Sequence, residues 1–419
     1  MNKNKPHSLE MELTIERDKP IKFKPSELEG YIVLRDNVRL PMRSYVRQFL
    51  DKMRGVFAKS PTGAGSIVRP SIASKPGSTA VTNASQWTGV QVGRGGGAVQ
   101  ITQTELIQQY CEEEGNAVAY GDTTITAPTA SGLNVIKTSV KRSFTNNDSQ
   151  ITLQEVGLKL LSVSKFALQN TFSVSYPVGY ENKANAKLIA RDIVTETFSN
   201  TEMKQVEYLF LINTSTDGTG GMLKNMASFI YNYFFKANYN AQKLLDYSGV
   251  EVTYAPASFL SATNFALPAS VTPFQVNGIA SQPFGIVLGT YDPTGQDADF
   301  TVYADGEVPE FEIGIQSTNV EMNVKTSGLS YGANTISAVT LTGTDQAYFT
   351  ISRTITNSGT STQVFNRVGL LTKGTPTTDT ALGVGQCVLA MNTLNTNLGV
   401  MHLAPSQSIK VTYRFSVSV

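Results

Sequence analysis

The chain of 419 residues is poor in the residue types that enzymes and metalloproteins use for chemistry. It has two histidines, two cysteines and one tryptophan, and its 16% of charged residues lies below the roughly one quarter typical of soluble domains. His402 is the sole histidine placed for a Ser-His-Asp or Cys-His centre, and no His and Cys set matches a zinc site. "GRGGGA" at Gly93 precedes no helix start and predicts a loop without a phosphate site. We therefore expect no enzyme, no cofactor and no small-molecule substrate.

Charge and hydropathy also exclude several partners. The net charge of +1 gives no global attraction to nucleic acid or to a membrane surface. Cys111 and Cys387 lie at non-equivalent places in the two copies described below, so neither belongs to a disulfide of a shared scaffold. No apolar stretch long enough for a membrane helix or a secretory signal occurs, and we expect assembly in the cytoplasm. Lys and Arg exceed Asp and Glu in the first 59 residues, which predicts either a docking arm or a solvated basic tail.

The chain contains a long internal repeat. "SVKRSFTNNDSQITLQEVGL" at 139–158 returns as "TISRTITNSGTSTQVFNRVGL" at 350–370. Tyr120-Gly121 matches Tyr331-Gly332 at the same spacing, and "GVQVG", "KLIARDIV" and "MKQVEYLF" match "GIVLG", "CVLAMNTL" and "IKVTYRF". The helical pattern "MRSYVRQFL" from Met42 matches "MASFIYNYF" from Met226. The repeat predicts two units of related topology.

Period-2 alternation with frequent turn residues predicts a mainly β chain of two tandem antiparallel β-sandwich domains, each with one packed amphipathic helix. The predicted boundaries are an N-terminal arm at 1–30, unit one at 31–213 (helix about 41–58, linker 60–88, sandwich 89–213) and unit two at 214–419 (helix about 222–236, connecting region 237–284, sandwich 285–419). The strand at 208–213 precedes the second helix as the strand at 31–36 precedes the first, so the units could abut there. Residues 1–30 and 60–88 have low apolar content, and we expect them to be ordered only in an assembly.

Five arginines are candidate assembly contacts: Arg43, Arg47, Arg54, Arg142 and Arg353. Arg142 and Arg353 occupy the same strand position in the two copies, and the alternative to a contact is an exposed strand arginine that stacks along its sheet. Four further positions repeat for conformational reasons: Asn146, Asn357, Gly157 and Gly369. Asn suits a turn, whereas Gly within a strand indicates a bulge or a close backbone contact.

One acidic segment could bind a cation. Residues 292–312 carry seven Asp and Glu side chains, which either bind Ca²⁺ at a rim or form a solvated acidic edge, because their spacing does not match a calcium loop.

The order of these motifs is similar to that of virion structural proteins of tailed bacteriophages, crAss-like gut phages among them. The segments that carry the resemblance are "SYVRQFL", "GVQVG" or "GIVLG", the stretch 331–371 and "SIKVTYRFSVSV". The family pattern has Glu before Val-Gly, as at Glu155, whereas unit two has Arg367 there. The resemblance implies a virion component without enzyme activity, whose partners are copies of itself and portal, neck, tail or capsid proteins.

A neck, collar or tail protein that forms a homo-oligomeric ring is our first expectation. A capsid decoration or head-fibre protein is the alternative, and a receptor- or glycan-binding spike is a further one. For the ring, we expect a head-to-tail contact between ancestral units to have become a contact within the chain. For the fold, we expect both copies to superpose and the Arg142 and Arg353 strands to pair with the Val-Gly-Leu strands that follow them.

Overall fold

The structure is a computed structural model, and it is mainly β. It describes residues 8–16, 20–23, 25–34, 39–42, 44–58, 67–71, 88–110, 118–130, 135–164, 186–213, 220–222, 226, 230, 242–245, 251–254, 285–290, 300–303, 321–324, 327–373, 386–394 and 400–419. Helix α1 (Arg47–Ala58) lies between β4 and β5, and Met226 and Ile230 are also helical. The strands are β1 (Ser8–Glu16), β2 (Ile21–Lys22), β3 (Ser26–Val33), β4 (Arg39–Pro41), β5 (Ile67–Ser71), β6 (Gly89–Gly93), β7 (Val118–Ala130), β8 (Val135–Asn146), β9 (Ile151–Ser164), β10 (Ala186–Phe198), β11 (Met203–Asn213), β12 (Gly220–Met222), β13 (Gln242–Leu245), β14 (Glu251–Tyr254), β15 (Gly285–Thr290), β16 (Phe300–Tyr303), β17 (Glu321–Val324), β18 (Leu329–Tyr331), β19 (Thr335–Ile336), β20 (Thr340–Thr342), β21 (Gln346–Asn357), β22 (Gln363–Phe365), β23 (Arg367–Lys373), β24 (Gln386–Thr393), β25 (Met401–Leu403) and β26 (Ser408–Ser418).

A central antiparallel sheet runs through both units. Its strand order is β18-β21-β26-β1-β3-β11-β8-β7, with β19 and β20 also on β21, β2 on β1 and β4 on β3. Alternation explains these strands: in β21, Phe349, Ile351 and Ile355 are buried on one face, and the residues between them are partly or fully exposed. The two units therefore share one sheet instead of forming two separate sandwiches.

Two further sheets form a second layer. One has the order β10-β9-β5 with β6 on β9, and the other has the order β12-β24-β23-β15-β17-β16. The hydroxyl of Tyr208 in the central sheet donates to Asp192 in β10, and that of Tyr413 donates to the carbonyl of Val368 in β23. Each second-layer sheet thus packs on one half of the central sheet.

The pairing order of unit one is repeated in unit two. β8 pairs with β11 so that Arg142 is opposite Val206, and β21 pairs with β26 so that Arg353 is opposite Val411. In the second layer β9 lies between β6 and β10, and β23 lies between β15 and β24. The registers agree with the sequence alignment, since Leu158 is opposite Ala190 and Leu370 is opposite Ala390.

The expected hairpin between the Arg142 strand and the Val-Gly-Leu strand is wrong in both units. β8 and β21 belong to the central sheet, whereas β9 and β23 belong to the second layer. The turn after Asn146, like the one after Asn357, therefore crosses from one sheet to the other.

The N-terminal segment was predicted to be an arm, but residues 8–16, 21–22 and 26–30 belong to strands of the central sheet. In β1 the apolar side chains of Leu9, Met11, Leu13 and Ile15 alternate with polar ones and are buried. The intervening glutamates lowered the apparent apolar content although the alternation was present. In the predicted linker 60–88, residues 67–71 form β5 on β9.

The two units meet at β1 and β3, which pair antiparallel with Leu9 opposite Leu28. β1 pairs with β26 as β3 pairs with β11: Leu13 is opposite Tyr413, and Ile32 is opposite Tyr208. Leu9 and Leu28 are therefore equivalent positions, and a half-turn about an axis through this pair exchanges the units. β3 is thus equivalent to β1. The strand at 208–213 was predicted to correspond to the strand at 31–36, but it is part of β11, which is equivalent to β26.

Helix α1 begins at Arg47, later than the predicted start near residue 41. Residues 39–41 pair with β3 as β4, and the amide of Met42 donates to Gly30, which keeps this stretch extended. The buried face of the helix packs on unit two, because the ring of Phe57 lies 6.3 Å from Phe349 and 5.8 Å from Phe415.

Candidate functional site

Arg142 is a buried link between the two layers of unit one. Its side chain projects from β8 and is 2% exposed. Nε donates to the carbonyl of Gly121 at 2.9 Å, and Nη1 donates to that of Thr88 at 2.7 Å, next to β6. The guanidinium also stacks on Tyr120, 4.8 Å from the ring centroid. These contacts hold the edge strand β7 and the second-layer strand β6 to β8.

Arg353 makes the same set of contacts in unit two. Nε donates to Gly332 at 2.6 Å, Nη1 donates to Ile286 of β15 at 3.0 Å, and the guanidinium lies 4.7 Å from the Tyr331 ring centroid. Burial lowers the pKa of Arg353 to about 10, and the Tyr331 hydroxyl opposes this shift. We call each of these arginines, with its tyrosine and its carbonyl acceptors, an arginine clamp.

The clamps correct the expectation of an exposed strand arginine. Side chains that are 2% and 1% exposed cannot reach another subunit from these positions, so Arg142 and Arg353 are not surface contacts in this structure. The repeated arginines form internal hydrogen bonds that join the central sheet to the second layer.

Asn146 holds the crossing between the sheets of unit one. Nδ2 donates to the carbonyl of Ser149 at 2.8 Å within the turn and to that of Phe198 at 2.9 Å in β10, while Oδ1 accepts from the amide of Asp148 at 3.0 Å. Thr201, with φ of 60°, donates its amide to the Asn146 carbonyl at 2.7 Å. The side chain thus fixes two neighbouring turns.

Asn357 does the same in unit two. Nδ2 donates to Ser361 at 2.8 Å and to Leu403 at 2.7 Å, and Oδ1 accepts from Gly359 at 2.9 Å. Ser406, with φ of 65°, donates its amide to the Asn357 carbonyl at 2.8 Å. Both asparagines therefore hold backbone groups of their own turn and of the neighbouring turn.

Gly157 is a close-contact position. A Cβ atom there would lie 2.7 Å from Leu106 Cδ2 and 3.0 Å from Leu188 Cδ1. The register shift in the same ladder lies just beyond it, between Leu188 and Ala190 of β10. Gly369 pairs with Met391 as Gly157 pairs with Arg191.

A second repeated link was not predicted. The Tyr208 hydroxyl donates to Asp192 at 3.5 Å, and the Tyr413 hydroxyl, at the equivalent position, donates to Asn392 at 3.3 Å. Burial, with the Asp192 charge beside it, raises the pKa of Tyr208 well above its usual value. This link could have been predicted from the sequence, because Tyr208 aligns with Tyr413 and Asp192 aligns with Asn392 in the repeat.

An ion pair with no counterpart in unit two lies on the outer face of β9 and β10. Glu155 and Arg191 are both fully buried, with Arg191 Nε 2.6 Å from Glu155 Oε2. In unit two the equivalent positions hold Arg367 and Met391. The ion pair is therefore not a requirement of the shared scaffold.

The ion pair holds a glycine-rich loop, residues 94–110, over β9. The Glu155 carboxylate accepts the amides of Gly95 at 3.1 Å, Ile107 at 3.0 Å and Gln108 at 2.7 Å. Arg191 Nη2 donates to the Gly95 carbonyl at 2.6 Å, and Nη1 donates to that of Gly97 at 2.9 Å. The loop that contains "GRGGGA" is thus fixed by a buried ion pair.

The remaining candidate arginines belong to or precede α1. Arg47 forms a half-exposed (i, i+4) pair with Asp51 at 3.3 Å, and Arg54 Nε donates to the Ser337 carbonyl of unit two at 2.5 Å. Arg54 therefore makes a contact within the chain, and Arg47 remains a candidate for contact between chains. Arg43 lies outside the described residues.

Two further observations concern cations and membranes. Among the described residues, no group of His, Cys, Asp and Glu is arranged to hold a metal ion. Residues 292–312 lie mostly outside the described part of the chain, so the calcium expectation stays a prediction. Within the described ranges, no helix is both long and apolar enough to cross a membrane.

Comparison of the chain with protein-family models, with curated proteins and with solved structures found no match.

Proposed function

We propose that the chain is a structural subunit of a tailed-phage virion that assembles with copies of itself into a ring at the neck, collar or tail. The observation that supports this proposal most is the use of the repeated polar residues. Both arginine clamps and both asparagine turns bind backbone carbonyls and hold one sheet to another. A chain that repeats such groups repeats a rigid shape, and rigid shape is what a particle component needs.

The edges of the central sheet indicate which surfaces such an assembly does not use. β7 at one edge has two register shifts and contains Pro128, and the other edge consists of the short strands β18, β19 and β20. Bulges, proline and short strands are the devices that prevent edge-to-edge pairing. Copies of this chain therefore do not assemble by extending the sheet at its outer edges.

The pairing of β1 with β3, which we call the seam between the units, is not the contact that we expected for a ring. β1 pairs with its own equivalent, β3, which is an isologous contact and not the head-to-tail contact expected from the sequence. An isologous contact closes on itself, so the chain resembles a fused dimer, and a ring needs a second contact of another kind.

The test is native mass spectrometry of the purified chain, followed by symmetry assignment in a cryo-EM map of the particle. We expect a closed oligomer of one defined copy number, located at the neck, collar or tail. A monomer dispersed over the capsid surface would instead favour the decoration protein, and location at a fibre tip would favour the receptor-binding spike.

A further inference from the structure

The N-terminal hairpin, residues 8–23, belongs to unit two although it precedes unit one in the chain. β1 pairs with β26 over Glu10 to Glu16, whereas its pairing with β3 covers Ser8 to Met11. β2 pairs with β1, and the Phe23 amide donates to Leu13 at 3.0 Å, so the hairpin is one piece.

The hairpin completes the sheet of unit two. β1 stands beside β26 as β3 stands beside β11 in unit one, and it covers one side of β26. Its side chains Leu9, Met11, Leu13 and Ile15 are at most 1% exposed in the common core. Without the hairpin, β26 would present an open, 11-residue edge above an uncovered apolar surface.

Charge favours one side of β1 over the other. On the β26 side, Lys410 lies 3.3 Å from Glu16, and Arg414 is opposite Glu12 in the register. On the β3 side, Glu10 is directly opposite Glu27. The ladder with β26 joins seven residue pairs and the ladder with β3 joins four, so the seam with β3 is the shorter and weaker one.

Pro25 lies between the hairpin and β3. Proline has no amide to donate, so Pro25 adds nothing to either ladder and can serve as a pivot. A hairpin that pivots there can form the same contacts with β26 of a second copy that it forms with its own. Exchange of an identical element is a low-cost route to association.

We propose that in the assembled protein the N-terminal hairpin is a donor element: residues 8–23 of one copy complete the sheet of unit two in the next copy. This inference rests on the proposed homo-oligomer and names its contact. The contact is head-to-tail, because the hairpin of one copy meets a different surface, β26, on its neighbour. It supplies the directional contact that the isologous seam of β1 and β3 lacks.

Disulfide trapping between different chains tests the proposal. Thr14 and Thr412 are register partners in β1 and β26, and neither is fully buried. Paired strand positions lie within the Cα separation that a disulfide accepts. In a full-length background with C111S and C387S, one tagged chain carries T14C and a second, differently tagged chain carries T412C. Hairpin exchange brings the two cysteines of different chains into register, so it predicts a disulfide between the two tags above the level that nonspecific collision gives.

The matched control is Ser143 with Gln205, which are register partners in β8 and β11 within unit one. Chains carrying S143C and Q205C separately are not expected to crosslink, whereas both substitutions in one chain should give an internal disulfide. When the T14C and T412C chains are co-expressed and oxidised, we expect a crosslinked fraction several-fold above that of the separate S143C and Q205C chains.

Each outcome separates the inference from the proposed function. An oligomer without disulfides between the T14C and T412C chains overturns hairpin exchange and leaves the proposed ring standing. Crosslinking without a closed oligomer supports exchange and contradicts the ring. A monomer without disulfides between the two chains overturns both, and an equal crosslinked fraction for the separate S143C and Q205C chains shows nonspecific collision and overturns exchange.

Discussion

Removing the Glu155 carboxylate should release the glycine-rich loop and leave the two-layer scaffold intact. In Glu155→Ala, three backbone amides lose their acceptor and the fully buried Arg191 loses its counter-charge. A buried donor without a partner costs about 1–3 kcal/mol, and an uncompensated buried charge costs about 3–5 kcal/mol. Because two of the amides are only partly buried and water can reach them, we expect a local loss of about 4 kcal/mol.

Arg191→Met should cost less, about 2 kcal/mol, because the carboxylate keeps its three amide donors and Met stands at the equivalent position of unit two. Amide hydrogen exchange at Gly95, Ile107 and Gln108 is the direct assay. A loss of about 4 kcal/mol corresponds to exchange faster by on the order of a thousandfold, and one of about 2 kcal/mol to roughly thirtyfold.

Arg94→Met is the matched control, since Arg94 is an exposed arginine on the same loop. It should leave exchange at the three amides within about threefold of the parent. The reasoning is refuted if Glu155→Ala accelerates these amides no more than Arg94→Met does, or if Arg191→Met proves more damaging than Glu155→Ala.

Three further substitutions test other parts of the structure. Burial, with Lys187 nearby, lowers the pKa of Lys52 to about 8 from 10.5; the unfolded chain then binds more protons between these values, so stability rises with pH across this window. Lys52→Met should accordingly raise the free energy of unfolding by up to about 3 kcal/mol at pH 7 in urea titrations, and an equal gain at pH 10.5 would contradict this cause. Arg353→Lys should lose about 2 kcal/mol, since an ammonium cannot span the same two carbonyls and stack on a ring; an unchanged urea midpoint would count against the clamp. Gly285 and Gly343 both have positive φ, but only Gly285 lies close to the Asn334 side chain. Gly285→Ala should therefore lower the free energy of unfolding by about 2 kcal/mol more than Gly343→Ala does. Equal losses would show that φ alone matters.

Much of the strand register could be predicted from the sequence because the copies could be compared with each other. The match of "KLIARDIV" with "CVLAMNTL" places Ala190 and Ala390 in one column, and the structure pairs them with Leu158 and Leu370. The burial of Arg142 could also have been predicted, since the residue lies between Val140 and Phe144 on one face of its strand. It was missed because arginine is rarely buried, and the acceptors that make burial possible are distant in sequence.

Other features depend on tertiary structure and leave little local signal. A short turn can close a hairpin or cross between layers, so the letters after Asn146 do not decide between the two. The Glu155 and Arg191 pair joins residues on separate strands. The nearest clue was the glycines at 93, 95 and 97, at which a side chain would meet the carboxylate or the returning loop. The place of β1 in unit two could not be inferred from its neighbours in the chain.

The two halves of this chain share a frame but do not bury the same side chains on the outer face of the second layer. At three equivalent positions on the outer face of the second layer, unit one has Gln91, Lys159 and Arg191, and unit two has Val287, Leu371 and Met391. A dimer of identical chains must show the same face twice, because every substitution appears in both copies. Fusion of the two copies into one chain removes that constraint, so the two units can bury different side chains on a nearly symmetric frame. In the proposed assembly, a chain of this kind could meet two unlike neighbours with its two units.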